Sequence, residues 1–384
     1  MDFTFTEEQL MIRDTAEAFL AEVSTSAAVR AAMATELGYD AELWQKICDE
    51  MFWQAIHIPE EYGGMGLGYV ELVAMLEQMG RYLLCSPFYS TVCLGVNSLL
   101  IAGTPEQKAE YLPRIIEGAT ATLAYTGSNG RWDAEAVTAT YVRSGDEYVL
   151  NGSWRYVPDG HSAQLLVVAA REEGSSGTSG ITLFIVPADS QGITREWLPT
   201  MDQTRKQAQI VMADAVMAPE SVMNEPGNAW QLLERIIGLA TVAVAAEQVG
   251  GAQQALDITV AYTQERVQFG RVIAGYQAIK HKAADMMVKV EAGRSAAYYA
   301  ACVADETLRG GSLASELGDA ASVAKAWCSD AFFFNAGCGI QLHGGVGFTW
   351  EYDIQLYFKR AKSSETFLGT GAWHRDSIAA SLLD

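Results

Sequence analysis

Residues 364 to 376 read SETFLGTGAWHRD, a stretch that combines the residue types of a working loop. Its glycines permit tight backbone turns, and His374, Arg375 and Asp376 offer groups that bind or move a proton. Yet the position just before Gly369-Thr370 is the aliphatic Leu368, which cannot take one. Basic residues gather at Arg266, Arg271, Lys280 and Lys282 and again at Lys359, Arg360 and Lys362, so the sequence allows an anionic small ligand. The histidines (57, 161, 281, 343, 374) show no ligand spacing, and the cysteines (48, 85, 93, 302, 328, 338) form no CxxC pair. No metal site is expected, and the thiols are read as buried and free in a reducing compartment.

The elements that must position these residues belong to a chain of 384 residues, long enough for two or three modules. Hydrophobic residues make up 49%, without any run approaching the ~20 apolar residues of a membrane span. The amino terminus, MDFTFTEEQLMIRD, lacks the basic region and small-residue cleavage site of a signal peptide, so a soluble, cytoplasmic protein is expected. A formal charge of −21 opposes non-specific binding to nucleic acid, because a polyphosphate is repelled at long range.

Periodicity divides the chain into an N-terminal helical domain (1–118), a middle antiparallel β domain (119–225) and a C-terminal antiparallel helical bundle (226–384), an α+β architecture. Thr6 with Gln9 predicts a capping box, and Thr104-Pro105-Glu106-Gln107 a second helix start with Gly118 as its stop. The runs AVTATYV, EYVLNG, AQLLVVAA and ITLFIVPA read as strands. Ser144-Gly145-Asp146 and Asn151-Gly152 are read as the positive-φ residues of hairpin turns. After Asn228, a candidate N-cap, helices are predicted over about 230–266, 276–307, 313–342 and 351–366, with a last one from 372.

ERVQFGRVIAGYQAIKHKAADM (265–286) followed by IQLHGGVGFTWEYDIQLYFKRAK (340–362) resembles the carboxy-terminal signature of the acyl-CoA dehydrogenase family, and IPEEYGGMGLG (58–68) resembles that family's amino-terminal loop. The order of three regions matches as well, so the resemblance covers essentially the whole chain. It implies flavin adenine dinucleotide (FAD), an acyl-CoA substrate and an electron-acceptor flavoprotein. It also implies that a neighbouring subunit closes over the adenosine-diphosphate half of each FAD. The residues carrying that cross-subunit role would be Arg266, Phe269, Gln277, Gln341, Gly344 and Gly345. The chemistry agrees, since Arg266 offers a fork of donors to pyrophosphate, Phe269 an apolar wall, and the glycine pair close backbone approach.

The same resemblance exposes departures. A thioester α-proton is weakly acidic, so its removal needs a desolvated carboxylate. In many members this is a Glu immediately before a Gly-Thr, where Leu368 stands here. Other members place the base early in the first long bundle helix, and that slot falls near Ala240 and Thr241. The next carboxylate beyond it is Glu247, two turns or ~10 Å along the axis. Glu247 reads first as a polar residue of a helix interface, and Glu365 as solvated or structural. In the β domain TGSNGRWD (126–133) puts Arg131 and Trp132 where the family tends to carry small residues. Tyr156, Val157 and Pro158 replace a step that normally supplies a hydroxyl and an N–H to the flavin ring, and proline has neither.

The resemblance with these departures implies a non-catalytic subunit in a heterotetrameric (α2β2) FAD-dependent acyl-CoA dehydrogenase, a related partner chain supplying base, thioester pocket and flavin-ring contacts. By analogy the substrate is a bulky thioester such as a steroid side chain. Two alternatives stand beside it. One is a homotetramer with a relocated base, Glu247 first; the other is a flavin-free scaffold or regulatory subunit.

Overall fold

The computed structural model describes residues 5–383. Met1–Thr4 of the amino-terminal stretch lie outside the described residues. Helices α1 (Glu7–Val23), α2 (Ser26–Ala34), α3 (Ala41–Lys46), α4 (Tyr69–Arg81), α5 (Asn97–Ala102) and α6 (Pro105–Ile116) precede the strands. The local signals explain their ends. Thr6 and Gln9 cap α1 reciprocally, Thr104 and Gln107 do the same for α6 with Pro105 in its first turn, and Gly118 leaves α6 at φ 105°.

Strands follow at β1 (Ala121–Ala124), β2 (Thr140–Ser144), β3 (Glu147–Pro158), β4 (Leu165–Glu172), β5 (Ile181–Pro187), β6 (Ile193–Leu198), β7 (Gln207–Met217) and β8 (Val222–Met223). They form one sheet in the order β6-β7-β3-β2-β4-β5-β8, with β1 added alongside β4. The sheet is mixed rather than purely antiparallel, because β4 pairs in parallel with both β1 and β2. Ser144 faces Glu147 across a two-residue turn containing Gly145 at φ 65°, as its sequence predicts. Asn151-Gly152 is no turn, however. It lies inside β3 at a register shift, where a Cβ on Gly152 would come 2.6 Å from Ala139 Cβ; the glycine serves a bulge. Trp154, Phe184, Leu150 and Ile210 fill the core beneath the sheet.

The remaining helices are α7 (Trp230–Glu265), α8 (Gln277–Arg309), α9 (Leu317–His343), α10 (Ile354–Thr366) and α11 (Gly371–Leu383), with a small hairpin of β9 (Val267–Gln268) and β10 (Arg271–Val272) after α7. Asn228 does not cap α7, which begins two residues later; it forms an isolated bridge with Ile181 instead. Residues Leu239–Ala246 of α7 are all buried, as an Ala-rich helix apolar on every side requires. Its contact with α4 is backbone-close: a Cβ on Gly80 would lie 2.0 Å from Glu247 O, and one on Gly250 1.7 Å from Glu77 O.

The chain divides into two compact units. The first comprises Met1–Ala31, Gly68–Leu84 and Thr241–Asp384, and so contains α1, α4 and α8 to α11. The second comprises Ala32–Leu67 and Cys85–Ala240, with α3, α5, α6 and the large sheet. All six cysteines are free. Among the described residues no helix is long and apolar enough to cross a membrane.

Candidate functional site

In the first unit, α7 runs out at Arg266 into the β9–β10 hairpin. Phe269 and Gly270 form its turn at φ 53° and 79°, the conformation a tight two-residue hairpin demands. Phe269 is 92% exposed, so the turn offers a large apolar ring to the outside. Arg266 is exposed and has no carboxylate partner among the described residues, so its guanidinium donors are available. Gln277, the first residue of α8, is exposed as well.

The end of α9 meets the end of α7. His343 stacks on Tyr262 with ring centroids 4.2 Å apart, and the Tyr262 hydroxyl donates to the His343 carbonyl at 3.3 Å. His343 Nδ1–H donates to Gly339 O at 2.7 Å, and burial pulls the imidazole below its ordinary pKa. Gln341, Gly344 and Gly345 project from this junction and are exposed. Gly344 leaves the helix at φ 64°, and neither it nor Gly345 has an atom within 4 Å of where a Cβ would stand. Tyr262 and His343 thus join the end of α7, four residues before Arg266, to the end of α9, which leads into Gly344 and Gly345. Exposed guanidinium donors, an exposed ring and two glycines with open space where a Cβ would stand suit a pyrophosphate flanked by an aromatic or sugar face.

The loop containing Leu368 is built differently. Leu368 is 1% exposed and adopts φ 59°, followed by Gly369 at φ 98°. Two consecutive left-handed residues, one a leucine, need outside support. Lys325, buried on α9, provides it: Nζ lies 2.9 Å from Gly369 O, 3.1 Å from Glu365 O and 3.0 Å from Ser329 Oγ. His374 adds another bond, Nε2 lying 2.9 Å from Leu368 O and Nδ1 3.1 Å from Ser322 Oγ. Nε2 therefore carries the proton and Ser322 donates to Nδ1. Burial first, and the nearby Lys325 second, push His374 down to about 4. Glu365 pairs with Lys362 at 2.8 Å, a structural role.

Glu247 is buried on α7, its backbone carbonyl in the crossing with α4. In the second unit, the carbonyl of Ala240 accepts from the Tyr89 hydroxyl at 2.8 Å, and the Arg205 guanidinium covers the Tyr89 ring at 4.4 Å.

The second unit also holds the two β-domain segments that depart from the family pattern. Thr126 is tied to Arg155 by two bonds of 2.9 Å, and Arg131 binds Asp133 through Nε at 2.9 Å and Nη2 at 2.5 Å. The Arg131 bond holds the Asp133 carboxyl below its ordinary pKa. Trp132 lies 6.2 Å, centroid to centroid, from Tyr125, whose hydroxyl is buried without a partner. In β3 a register shift between Trp154 and Val157 throws Tyr156 outward at φ 59°. Val157 and Pro158 are buried, and the Pro158 carbonyl accepts from Thr122 Oγ1 at 2.7 Å.

Sequence reasoning missed Lys325, His374 as a buried group, Tyr89 and Tyr125. A signal existed for the first. Ser322, Lys325 and Ser329 recur at i, i+3 and i+7 on an otherwise apolar helix, one polar stripe facing inward.

Models of the N-terminal, middle and C-terminal domains of acyl-CoA dehydrogenases match residues 6–119, 122–214 and 229–383. The acyl-CoA dehydrogenase IpdE2 of Mycolicibacterium smegmatis is 32% identical over 94% of this chain and 95% of its own. A variant of the Tcur3481-Tcur3483 steroid ACAD superposes with TM-score 0.86 at 29% identity, covering 98% of both chains. A chain of the ChsE4-ChsE5 complex from Mycobacterium tuberculosis superposes with TM-score 0.89 at 25% identity, covering 100% of this chain and 99% of that one. With all three domain models matched in order along nearly its full length, the chain belongs to the acyl-CoA dehydrogenase family, flavoprotein oxidoreductases that use FAD.

Proposed function

We propose that this chain is the non-catalytic subunit of a heterotetrameric acyl-CoA dehydrogenase that desaturates a CoA thioester between its α and β carbons. Its Arg266, Phe269, Gln277, Gln341, Gly344 and Gly345 clasp the adenosine-diphosphate half of an FAD seated in a related partner chain. That partner supplies the carboxylate base, the thioester pocket and the contacts to the flavin ring. When bound, the flavin supplies the hydride acceptor, and an electron-accepting flavoprotein reoxidises it.

One observation carries this reading: the six cross-subunit residues are exposed and available, whereas residue 368 is a buried leucine. The buried Val157-Pro158 step and the filled loop at Trp132 support it from the other unit. The likeness to a steroid ACAD makes a bulky acyl group, such as a steroid side chain, the substrate class to test first.

The test is the ratio of flavin absorbance to protein, for the chain alone and after co-expression with a related dehydrogenase chain. Flavin bound only in the co-expressed complex, at one per pair of chains, is expected. A full complement in the isolated chain, with turnover lost in Glu247→Gln, would replace this reading with a homotetramer whose base has moved. A colourless complex with every partner would replace it with a flavin-free scaffold.

A further inference from the structure

Lys325 is wholly buried, faces no carboxylate in an ion pair among the described residues, and yet is satisfied at every position of its amine. Two of its neighbours, Glu365 O and Gly369 O, can only accept. The third, Ser329 Oγ, can accept or donate, and its own neighbour can do both. Gln248 Nε2 lies 3.1 Å from Ser329 Oγ, and Gln248 Oε1 lies 3.3 Å from it.

Two complete hydrogen-bond patterns therefore fit one set of heavy atoms. With three protons, Lys325 donates to both carbonyls and to Ser329, whose hydroxyl then turns to Gln248 Oε1. With two, it donates to the carbonyls alone, while the Ser329 hydroxyl turns back to the nitrogen lone pair and Gln248 Nε2 donates to Ser329. Gln248 Nε2 also reaches Ser364 Oγ at 3.1 Å, so the relay joins α7, α9 and α10. A single hydroxyl rotation separates the two states.

We propose that Lys325 is the positioning residue of the Thr366–Gly371 loop, and that the proton count of its amine sets how firmly the loop carbonyls are held. The loop opens less readily in the neutral pattern, because the charged one buries an ammonium with only neutral acceptors, a desolvation cost that opening relieves. Charged or titratable groups around it are Cys328 and Asp330 on α9, Glu365 on α10 and His374 on α11. Glu365 is engaged by Lys362 and Asp330 by Arg375, so neither pairs directly with the ammonium, and their attraction is outweighed by burial. Burial, the largest influence, brings Lys325 down to about 7, so the proton is exchanged with bulk solvent within an ordinary working range. The sign follows: with the folded-state value lowered from the ordinary 10.5 to about 7, the hold on the loop is full above about pH 10.5, is lost as pH falls from there to about 7, and stays low below that.

The test is hydrogen exchange of the full chain, read at the amides of Phe367, Trp373 and His374 and corrected for the intrinsic pH dependence of exchange. Protection at these amides is expected to rise on the order of tenfold between about pH 6 and about pH 9. Lys325→Met should abolish the rise and leave protection low throughout. His374→Gln should preserve it, since His374 titrates at lower pH; this variant decides the matter should Lys325→Met not fold. A flat wild-type profile, or a rise that survives in Lys325→Met, would overturn the proposal. The outcome is independent of whether the flavin sits in this chain or its partner.

Discussion

The end of the bundle around Arg266 and the loop around Leu368 lie in the same compact unit and are built on opposite principles. At the first, side chains that could bind something are left outside: a guanidinium with no carboxylate partner among the described residues, a phenylalanine 92% exposed, two glycines with open space above them. At the second, the carbonyls of Leu368, Gly369 and Thr370 are used internally. Leu368 is buried, its carbonyl is taken by His374, and Gly369's is taken by Lys325. A protein bears the cost of exposed apolar surface where a partner covers it. It bears the cost of left-handed backbone where the surroundings enforce it. The contrast teaches that the loop's shape does not depend on the side chain at 368, because the shape is held through backbone carbonyls.

The largest effect that could break the comparison is Leu368→Glu. If the slot is closed, a carboxylate there is buried without a designed partner, and stability should fall by about 3–5 kcal/mol in urea unfolding. A loss under about 1 kcal/mol would mean that the side chain can reach solvent or a pocket, and that the loop is still open for chemistry. Next comes pH. His374 is held neutral in the fold, its value lowered to about 4 from the ordinary 6.5. Its contribution is therefore complete above about pH 6.5 and is lost as pH falls towards 4, by roughly 3 kcal/mol. Unfolding midpoints measured across that range should decline less in His374→Gln than in the wild type. Equal declines would mean that His374 does not hold the loop. His57, similarly depressed, contributes to both curves and cancels in the difference.

The sequence made the architecture readable because caps, glycines and apolar periods are local. The Thr6 and Thr104 caps and the two-residue turn at Gly145 are each determined within four residues. Asn151-Gly152 misled because the same dipeptide serves a turn or a bulge, and only the approach of Ala139, thirteen residues before Gly152, decides between them. The parallel pairing of β4 with β1 and β2 was unreadable for the same reason. At the candidate site, the types and spacing of Arg266, Phe269 and the glycine pair were legible. Lys325 left only the polar stripe with Ser322 and Ser329 as a trace, because a lysine's burial depends on carbonyls forty and forty-four positions later in the chain.

Smaller effects sharpen the contrast by separating stability from binding. A Cβ on Gly369 would meet Trp373 Cε3 at 2.6 Å, on a backbone at φ 98°. Gly369→Ala should therefore cost about 1–3 kcal/mol by urea unfolding. Gly345→Ala meets nothing within 4 Å and should stay within about 0.5 kcal/mol of wild type. Any change it makes should appear in the flavin retained by the co-expressed complex. The smallest effect on folding belongs to Arg266→Ala, since an exposed guanidinium without an ion pair among the described residues contributes almost nothing to the isolated chain. The same substitution removes charge-assisted bonds of about 1.5–3 kcal/mol if that guanidinium faces a pyrophosphate. Flavin retention in the complex should then fall roughly 10- to 100-fold with the unfolding midpoint unmoved. Retention unchanged in Arg266→Ala would remove the cross-subunit role from the end of the bundle. A midpoint that moved with it would show that the arginine serves this chain's own fold, and the difference between the two regions would disappear.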